Sequence, residues 1–300
     1  MNQMKRMKTD DPESKLTTSK NNHEAQWERQ GEWLEKLRTH KKMLVEEQGM
    51  QGWELWEAMA SVSLDHKVAI LQGRGNRCEQ CWHDLQYCLC ARLGDPIPAK
   101  FLEGSIGIKL CVLMHHKEYL GAGNSAKLLL RLMTENSELY LYGKTGEFDR
   151  LLDELASCER EDVMILWPGA DALSVGNFMK KSEHHQQEMK KRTVRAIVLD
   201  GTYSQARNMY KCLRKRMVSA GITSIDTVAV NPNNLSVFHR AQKNYGKAHQ
   251  QQQATTRIST AEACGYLLVD LGVDPSVLER ITDAVLLNNQ ALNYARTLDK

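Results

Sequence analysis

A carboxylate follows directly after an apolar run in the second half of the chain. Val194–Leu199 is mainly apolar and β-branched, which predicts a buried strand, and residues from Tyr203 to Met217 have helical periodicity. Asp200 stands between them. This places it at the carboxyl end of a strand, where open α/β sheets bind ligands. Asp200 or Thr202 could instead cap the helix, and the spacing alone leaves both interpretations open.

Four cysteines within thirteen positions form a second group with its own chemistry. They make a C-x2-C and a C-x-C pair at Cys78, Cys81, Cys88 and Cys90. Paired cysteines on tight turns supply the four soft ligands of a tetrahedral Zn²⁺, and a site closed by four protein ligands is structural rather than catalytic. His83 could replace one cysteine. Disulfides are the competing interpretation, which a reducing compartment disfavours.

Basic residues surround the Asp200 stretch. One group lies on the helix that follows it, at Lys211, Arg214, Lys215 and Arg216, and another precedes the strand at Lys190, Lys191 and Arg192. Such clusters can contact the phosphates of a nucleic acid. The alternative is a solvated helix face.

Length and composition restrict the possible classes of protein. The 300 residues allow one large domain or two smaller ones, 42% of them are hydrophobic, and the net charge of +3 says little about partners. We find no secretory or organellar presequence and no apolar run of about 18 residues. We therefore expect a soluble cytoplasmic or nuclear protein with no membrane association, whose eight cysteines are reduced or metal-bound.

The surrounding secondary structure must position these groups. We predict that the chain is divided into four segments. Residues 1–22 form a disordered tail, 23–70 a helical extension with a second short helix at Trp53, Trp56 and Met59, 71–98 the four-cysteine zinc module, and 99–300 an α/β domain. In the last part we predict strands at 106–114, 139–142, 163–167, 194–199 and 224–230. Helices are predicted at 126–133, 148–156, 171–190, 203–217, 260–271 and after Pro275, and a polar loop at 231–253. Alternating strands and helices imply a largely parallel sheet.

Three junctions between predicted elements carry polar or aromatic groups. They are Trp167-Pro168-Gly169-Ala170, Asp200-Gly201-Thr202-Tyr203, and the Thr256–Glu262 entry to a late helix, which ends in the stretch Ser259-Thr260-Ala261-Glu262. The last has the spacing of a capping box, so Glu262 is either a capping acid or a binding residue. If the three junctions meet at one sheet edge, they form one pocket.

In this order, the motifs resemble those of the DTW-domain family of RNA aminocarboxypropyltransferases. The family's Asp-x-Thr-Trp motif is found here as Asp200-Gly-Thr-Tyr203. The four-cysteine cluster, Leu113-Met-His-His-Lys-Glu118 with Asn124-Ser125, Leu166-Trp-Pro-Gly169 and Arg257-Ile-Ser-Thr-Ala-Glu262 agree in order. The resemblance covers residues 77–272.

The resemblance implies a fold and a reaction. The fold would be similar to the SPOUT methyltransferases, with a C-terminal knot that binds S-adenosylmethionine. The enzyme would transfer the 3-amino-3-carboxypropyl group of this co-substrate to N3 of a tRNA uridine, giving acp3U. Asp200 would be the base, with Thr202 and Tyr203 as further catalytic residues. The implied co-substrate contacts are Trp167, Pro168, Gly169, Gly201, Ser259, Thr260 and Glu262, and the RNA contacts are Lys117, Lys127, Arg207, Lys211, Arg214 and Lys215.

The chain departs from the family pattern at several positions. Tyr203 replaces the family tryptophan but keeps an aromatic ring. His116 stands where proline is common, and the Gly121-Ala-Gly123 loop is less basic than usual. Two rival functions remain: a SPOUT-like methyltransferase, which would transfer the methyl group, and a noncatalytic zinc-dependent RNA-binding protein. The oligomeric state is left open.

Overall fold

The computed structural model describes residues 30–102, 107–157, 163–183, 193–222, 225–231 and 258–298. The chain divides into two compact units at Met59 and Ala60. In the first unit, residues 30–46 form helix α1, on which Leu44 is buried and Leu34 is exposed. The predicted disordered tail lies outside the described residues.

The second unit contains the cysteine segment and the sheet. Helix α2 (Gly52–Gly73) leads into this unit and is much longer than the short helix predicted around Trp53. A 3₁₀ turn (Leu85–Tyr87) and two short helices, α3 (Cys90–Leu93) and α4 (Ala99–Leu102), come next. Among the described helices, none combines the length and apolarity needed to cross a membrane.

The α/β part contains strands and helices in alternation. The strands are β1 (Gly107–His115), β2 (Ser137–Tyr142), β3 (Val163–Leu166), β4 (Leu173–Ser174), β5 (Thr193–Asp200) and β6 (Asp226–Ala229). The helices are α5 (Ala126–Leu132), α6 (Glu147–Ala156), α7 (Val175–Glu183), α8 (Tyr203–Ser219), α9 (Thr260–Asp270) and α10 (Ser276–Leu298). All pairs in the sheet order β2-β1-β5-β3-β6-β4 are parallel, which confirms the predicted α/β class.

The sequences of β1 and β5 suit their positions as inner strands of the sheet. Both strands are apolar along nearly their whole length, as expected where helices cover both faces. On one face, Val112 and Val198 belong to a core shared with α5, α9 and α10. Alternate residues such as Leu113 and Ile197 are also buried, and α8 contacts both strands.

The predicted start of one helix was wrong. The single helix predicted over 171–190 begins only at Val175, because Leu173 and Ser174 pair with β6 as the short edge strand β4. A two-residue strand is too short to show a period in the sequence.

The predicted C-terminal knot stays a prediction. The chain between β6 and α9 runs through residues 232–257, which lie outside the described residues. The predicted polar loop falls almost entirely in the same gap.

Candidate active site and metal centre

Asp200 is the last residue of the central strand β5 and is only 4% exposed. It pairs in register with Met114 of β1, so the loop that follows β1 lies beside it. The Asn124 side chain, from that loop, donates from Nδ2 to Asp200 Oδ2 over 2.5 Å. Asn124 is fixed in turn, because its Oδ1 accepts the backbone N–H of Lys127 at 3.0 Å. The carboxylate is therefore held in one orientation at the carboxyl edge of the sheet.

The cap of helix α8 is Thr202 and not Asp200. Thr202 Oγ1 accepts the backbone N–H of Gln205 at 3.4 Å, and Gln205 Oε1 accepts the N–H of Thr202 at 2.6 Å. This reciprocal pair satisfies two backbone donors at the helix N-terminus. Capping the helix accounts for the threonine at position 202. It does not account for the burial of Asp200, which must have another cause.

Gly201 allows the chain to turn closely between β5 and α8. A Cβ at this position would lie 3.1 Å from Gln205 Cβ and 3.5 Å from His115 Cβ. A larger residue here would require the Gln205 side chain to shift by a few tenths of an ångström, and Gln205 forms the cap of α8. The requirement for glycine here is steric.

An aromatic stack connects the ends of β3 and β5. The Trp167 ring lies nearly parallel to Tyr203, with centroids 6.0 Å apart, and to Tyr210 at 5.2 Å. Tyr203 is half exposed, and the Arg207 guanidinium lies over its ring and donates to its hydroxyl at 3.1 Å. The exposed Pro168 and Gly169 follow Trp167. An exposed ring with a cation beside it is suited to stacking a nucleobase.

Helix α9, which begins at the third predicted junction, packs against β5. The charge of Asp200 adds to burial in raising the pKa of Cys264, which is on α9 and fully buried. Ser259 caps this helix in a capping box with Glu262, whose Oε2 accepts the N–H of Ser259 at 2.8 Å. Glu262 is therefore a capping acid, and its predicted contact with the co-substrate stays a prediction. Thr260 is half exposed at the helix start.

The four clustered cysteines are brought together as metal ligands would be. Their sulfur atoms all lie within 4.8 Å of one another. Cys78 Sγ and Cys90 Sγ are 3.5 Å apart, and Cys81 Sγ and Cys88 Sγ are 3.7 Å apart. Zn–S bonds of about 2.3 Å in a tetrahedron place the sulfurs roughly 3.8 Å apart, so the cluster fits Zn²⁺.

The thiols of the cluster differ in their surroundings. Burial raises the pKa of Cys88 and of Cys90. Burial raises the pKa of the Cys78 thiol, but hydrogen bonds from the backbone of Cys81 and Gln80 outweigh it and lower the pKa to about 7. The N–H of Leu89 donates to Cys81 Sγ at 3.4 Å. His83 does not replace a cysteine, because its Nε2 instead contacts Asn288 Oδ1 at 2.9 Å in the interior.

The predicted RNA-contacting residues lie in different environments. Lys117, Arg207, Lys211 and Lys215 are exposed, and Arg214 is half buried and donates to the Ile225 carbonyl at 2.8 Å. Lys127 is 1% exposed, so the surface position predicted for it is wrong. It lies in the first turn of α5, whose residues are mostly buried because the helix packs against α9 and α10.

Sequence reasoning also missed the role of Asn124. In the sequence, Asn124 was noted only as part of a family motif just before α5. Nothing in the sequence indicated that its side chain would contact Asp200. The pairing arises from the β1–β5 register, which places the two residues side by side across 76 positions of sequence.

Acidification should destabilise the fold because of His115. Burial and the positive charges of His116 and Lys117 lower the pKa of His115 to about 4, against about 6.5 in an unfolded chain. Between these values the unfolded chain binds more protons, so stability is complete above pH 6.5 and is lost as pH falls. We expect His115 to account for about 2 kcal/mol of the stability lost between pH 7 and pH 5.

Urea denaturation of the wild type and His115→Asn at both pH values would check this. Asn Oδ1 can accept the Lys117 N–H, as His115 Nδ1 does at 3.2 Å. The variant should show a flatter pH dependence of the free energy of unfolding. An equally steep dependence would contradict the assignment.

Comparison with known proteins adds two findings. The family model of the DTW domain matches residues 75–292, which include the cysteine cluster, all six strands and most of α10. The tRNA-uridine aminocarboxypropyltransferase 2 of Macaca fascicularis is 25% identical over 137 residues, which are 46% of this chain and 42% of that relative. The match thus spans less than half of the relative's length. No solved structure matches the chain significantly.

Proposed function

Because the chain belongs to the DTW-domain family, we propose that it transfers the 3-amino-3-carboxypropyl group of S-adenosylmethionine to N3 of a tRNA uridine. The observation that carries this proposal is the buried Asp200, which Asn124 holds at the carboxyl edge of the sheet beside an exposed aromatic ring. The partial similarity to a protein named as a tRNA-uridine aminocarboxypropyltransferase supports it.

The chemistry requires a base and accurate placement. Uracil N3–H is a weak acid, and Asp200 would take this proton as N3 bonds to the Cγ atom of the co-substrate. The bond between Cγ and sulfur breaks, and its electron pair leaves on sulfur as 5′-methylthioadenosine. Since the sulfonium is already a good leaving group, most of the remaining rate would come from holding N3, Cγ and sulfur in line.

The residues around Asp200 would provide this placement. Trp167, Pro168 and Gly169 would form one wall of the co-substrate site, with Gly201, Ser259 and Thr260 at its polar side. Thr202 keeps the turn beside Asp200 in place through its cap, and Glu262 keeps the start of α9 in place in the same way. Tyr203, half exposed, would stack on a base.

The remaining parts of the proposal concern RNA and metal. The exposed Lys117, Arg207, Lys211 and Lys215 would contact tRNA phosphates. The four-cysteine cluster would hold a structural Zn²⁺, since four protein ligands leave no position for a substrate. A SPOUT-like C-terminal knot would complete the co-substrate site.

Label transfer distinguishes this function from its rivals. Purified protein would be incubated with unmodified tRNA and S-adenosylmethionine labelled either in the aminocarboxypropyl carbons or in the methyl group. We expect only the carbon-chain label to enter the RNA, in a nucleoside that co-migrates with acp3U. Transfer of the methyl label would make the protein a methyltransferase. RNA binding without any binding of S-adenosylmethionine would favour the noncatalytic RNA-binding protein.

A further inference from the structure

The part of helix α2 that belongs to the second unit is anchored at the carboxyl edge of the sheet. Lys67 Nζ donates to the backbone carbonyls of Lys117 and Tyr119, in the loop that follows β1, at 2.9 and 2.5 Å. Two residues earlier, Asp65 pairs with Lys144, in the turn that follows β2, at 2.6 Å. Since β1 and β2 are parallel neighbours, both contacts lie at the edge of the sheet that carries the proposed site.

The loop after β1 (residues 116–125) is a series of three turns that leads to Asn124. The N–H of Glu118 donates to the His115 carbonyl at 2.8 Å, and the N–H of Gly121 donates to the Glu118 carbonyl at 2.9 Å. The N–H of Asn124 donates to the Gly121 carbonyl at 3.0 Å. Each turn begins at the residue where the previous one ends, and the side chain of Asn124 donates to Asp200. The position of Asn124 therefore depends on the shape of the whole loop.

The loop contains a backbone conformation that needs support from outside it. Leu120 has a φ of 58°, in the left-handed region that residues with a Cβ rarely adopt. Its carbonyl accepts a hydrogen bond from Arg77 Nη1 at 2.6 Å, and the preceding carbonyl, of Tyr119, accepts from Lys67. A conformation of this kind persists where surrounding contacts fix it. Two cations from other segments thus hold the carbonyls at the strained residue.

Lys67 is suited to hold this loop because its ammonium donates to two of the carbonyls at once. Lys117 and Tyr119 flank Glu118, the residue at which the first turn ends and the second begins. Hydrogen bonds from a charged donor are roughly twice as strong as neutral ones, and the half-buried position of Lys67 strengthens them further. Fixing both carbonyls fixes the junction of the two turns, and it uses two of the three donors of the ammonium.

We propose that Lys67 is a positioning residue for the transfer reaction. It holds the loop after β1 in the shape that places Asn124 against Asp200. It does so from a helix that precedes the DTW domain, since the family model begins at residue 75. This role depends on the proposed function, in which Asp200 is the base, but the support of the loop can be measured without any assay of transfer.

Amide hydrogen exchange, followed by mass spectrometry, measures the support of the loop. Lys67→Met keeps the length of the side chain and removes its donors. Residues 118–124 should then exchange about 10-fold faster than in the wild type, because the charged hydrogen bonds that oppose local opening are lost. Lys67→Arg keeps the charge and the donors, so its loop should exchange at close to the wild-type rate. If Lys67→Met does not fold, Lys67→Gln, which has a shorter side chain and no charge, replaces it.

Two references make this measurement specific. Lys100→Met removes a cation that is exposed on α4, and it should leave exchange in the loop unchanged. Residues 203–219 of α8 serve as an internal reference and should exchange alike in all the proteins. Unchanged exchange at residues 118–124 in Lys67→Met would overturn the proposal. An equal increase along the whole chain would also overturn it, since Lys67 would then stabilise the fold as a whole.

Single-turnover transfer separates positioning from RNA binding. With saturating tRNA and S-adenosylmethionine, Lys67→Met should transfer the label about 10–100-fold more slowly, because a small displacement of the base lowers the rate by such factors. The half-saturating tRNA concentration should stay near the wild-type value, and Lys67→Arg should recover most of the rate. A raised half-saturating concentration with an unchanged saturating rate would make Lys67 an RNA contact and overturn the proposal. If the wild type transfers no label, the proposed function fails, and hydrogen exchange still decides whether Lys67 holds the loop.

Discussion

Asp200→Asn should reduce transfer of the aminocarboxypropyl label to tRNA by about 10²–10⁴-fold while the fold and the metal content stay intact. An amide has the shape of the carboxylate but cannot accept the N3 proton. The substitution also leaves an oxygen that can accept from Asn124 Nδ2, so the loop after β1 should keep its position. The measurement is single-turnover transfer with saturating tRNA, together with circular dichroism and metal analysis of the same samples.

The matched control is Asp226→Asn. Asp226 is on β6 and pairs with the exposed Lys181 at 2.8 Å, away from the proposed site. This variant should transfer the label at close to the wild-type rate. If Asp200→Asn were equally active, Asp200 would not be the base, and its burial beside Asn124 would need a structural explanation.

Cys81→Ser should cost the protein its bound metal and much of its stability. Cys81 is 1% exposed and belongs to the same core as Leu89 and Trp82, so the cysteine cluster is part of the hydrophobic interior. A serine hydroxyl at this position does not ionise near neutral pH and cannot replace a thiolate ligand. Structural zinc sites contribute apparent binding free energies of about 10–16 kcal/mol in zinc-finger peptides. Losing one of four ligands should lower the melting temperature by about 10 °C or more.

Metal content by mass spectrometry and thermal unfolding with and without chelator would measure both effects. Cys212→Ser is the control, because Cys212 lies on α8 outside the cluster. It should retain one metal ion per chain and the response of the wild type to chelator. Full metal content in Cys81→Ser would contradict the assignment of the four cysteines as one site.

Local patterns predicted several parts of this protein well. The apolar residues before Asp200 allowed only a buried strand, and the spacing of Ala206, Met209 and Leu213 matches the buried face of α8. The C-x2-C and C-x-C pairs predicted a metal site, because ligands within thirteen positions can meet through local turns alone. Each of these features depends on neighbours in sequence, and this is why the sequence shows them.

Boundaries and short elements were predicted less well. The edge strand β4 has two residues and therefore no periodic pattern. Helix α2 continues to Gly73, well past Met59, the last of the three positions that predicted it. Strand β4 is too short for a pattern to form. The length of α2 depends on contacts with residues distant in sequence.

The sequence by itself determined the alternation of strands and helices, the capping box at Ser259, and the clustering of the four cysteines. Only the tertiary structure decided the surroundings of Asp200, Asn124 and Lys127. The parallel register of β1 with β5 brings Asn124 to Asp200, and the packing of α5 against α9 and α10 buries Lys127. A lysine in sequence carries the same charge at the surface and in the interior. Its role depends on which residues exclude water from it, and those residues come from distant parts of the chain.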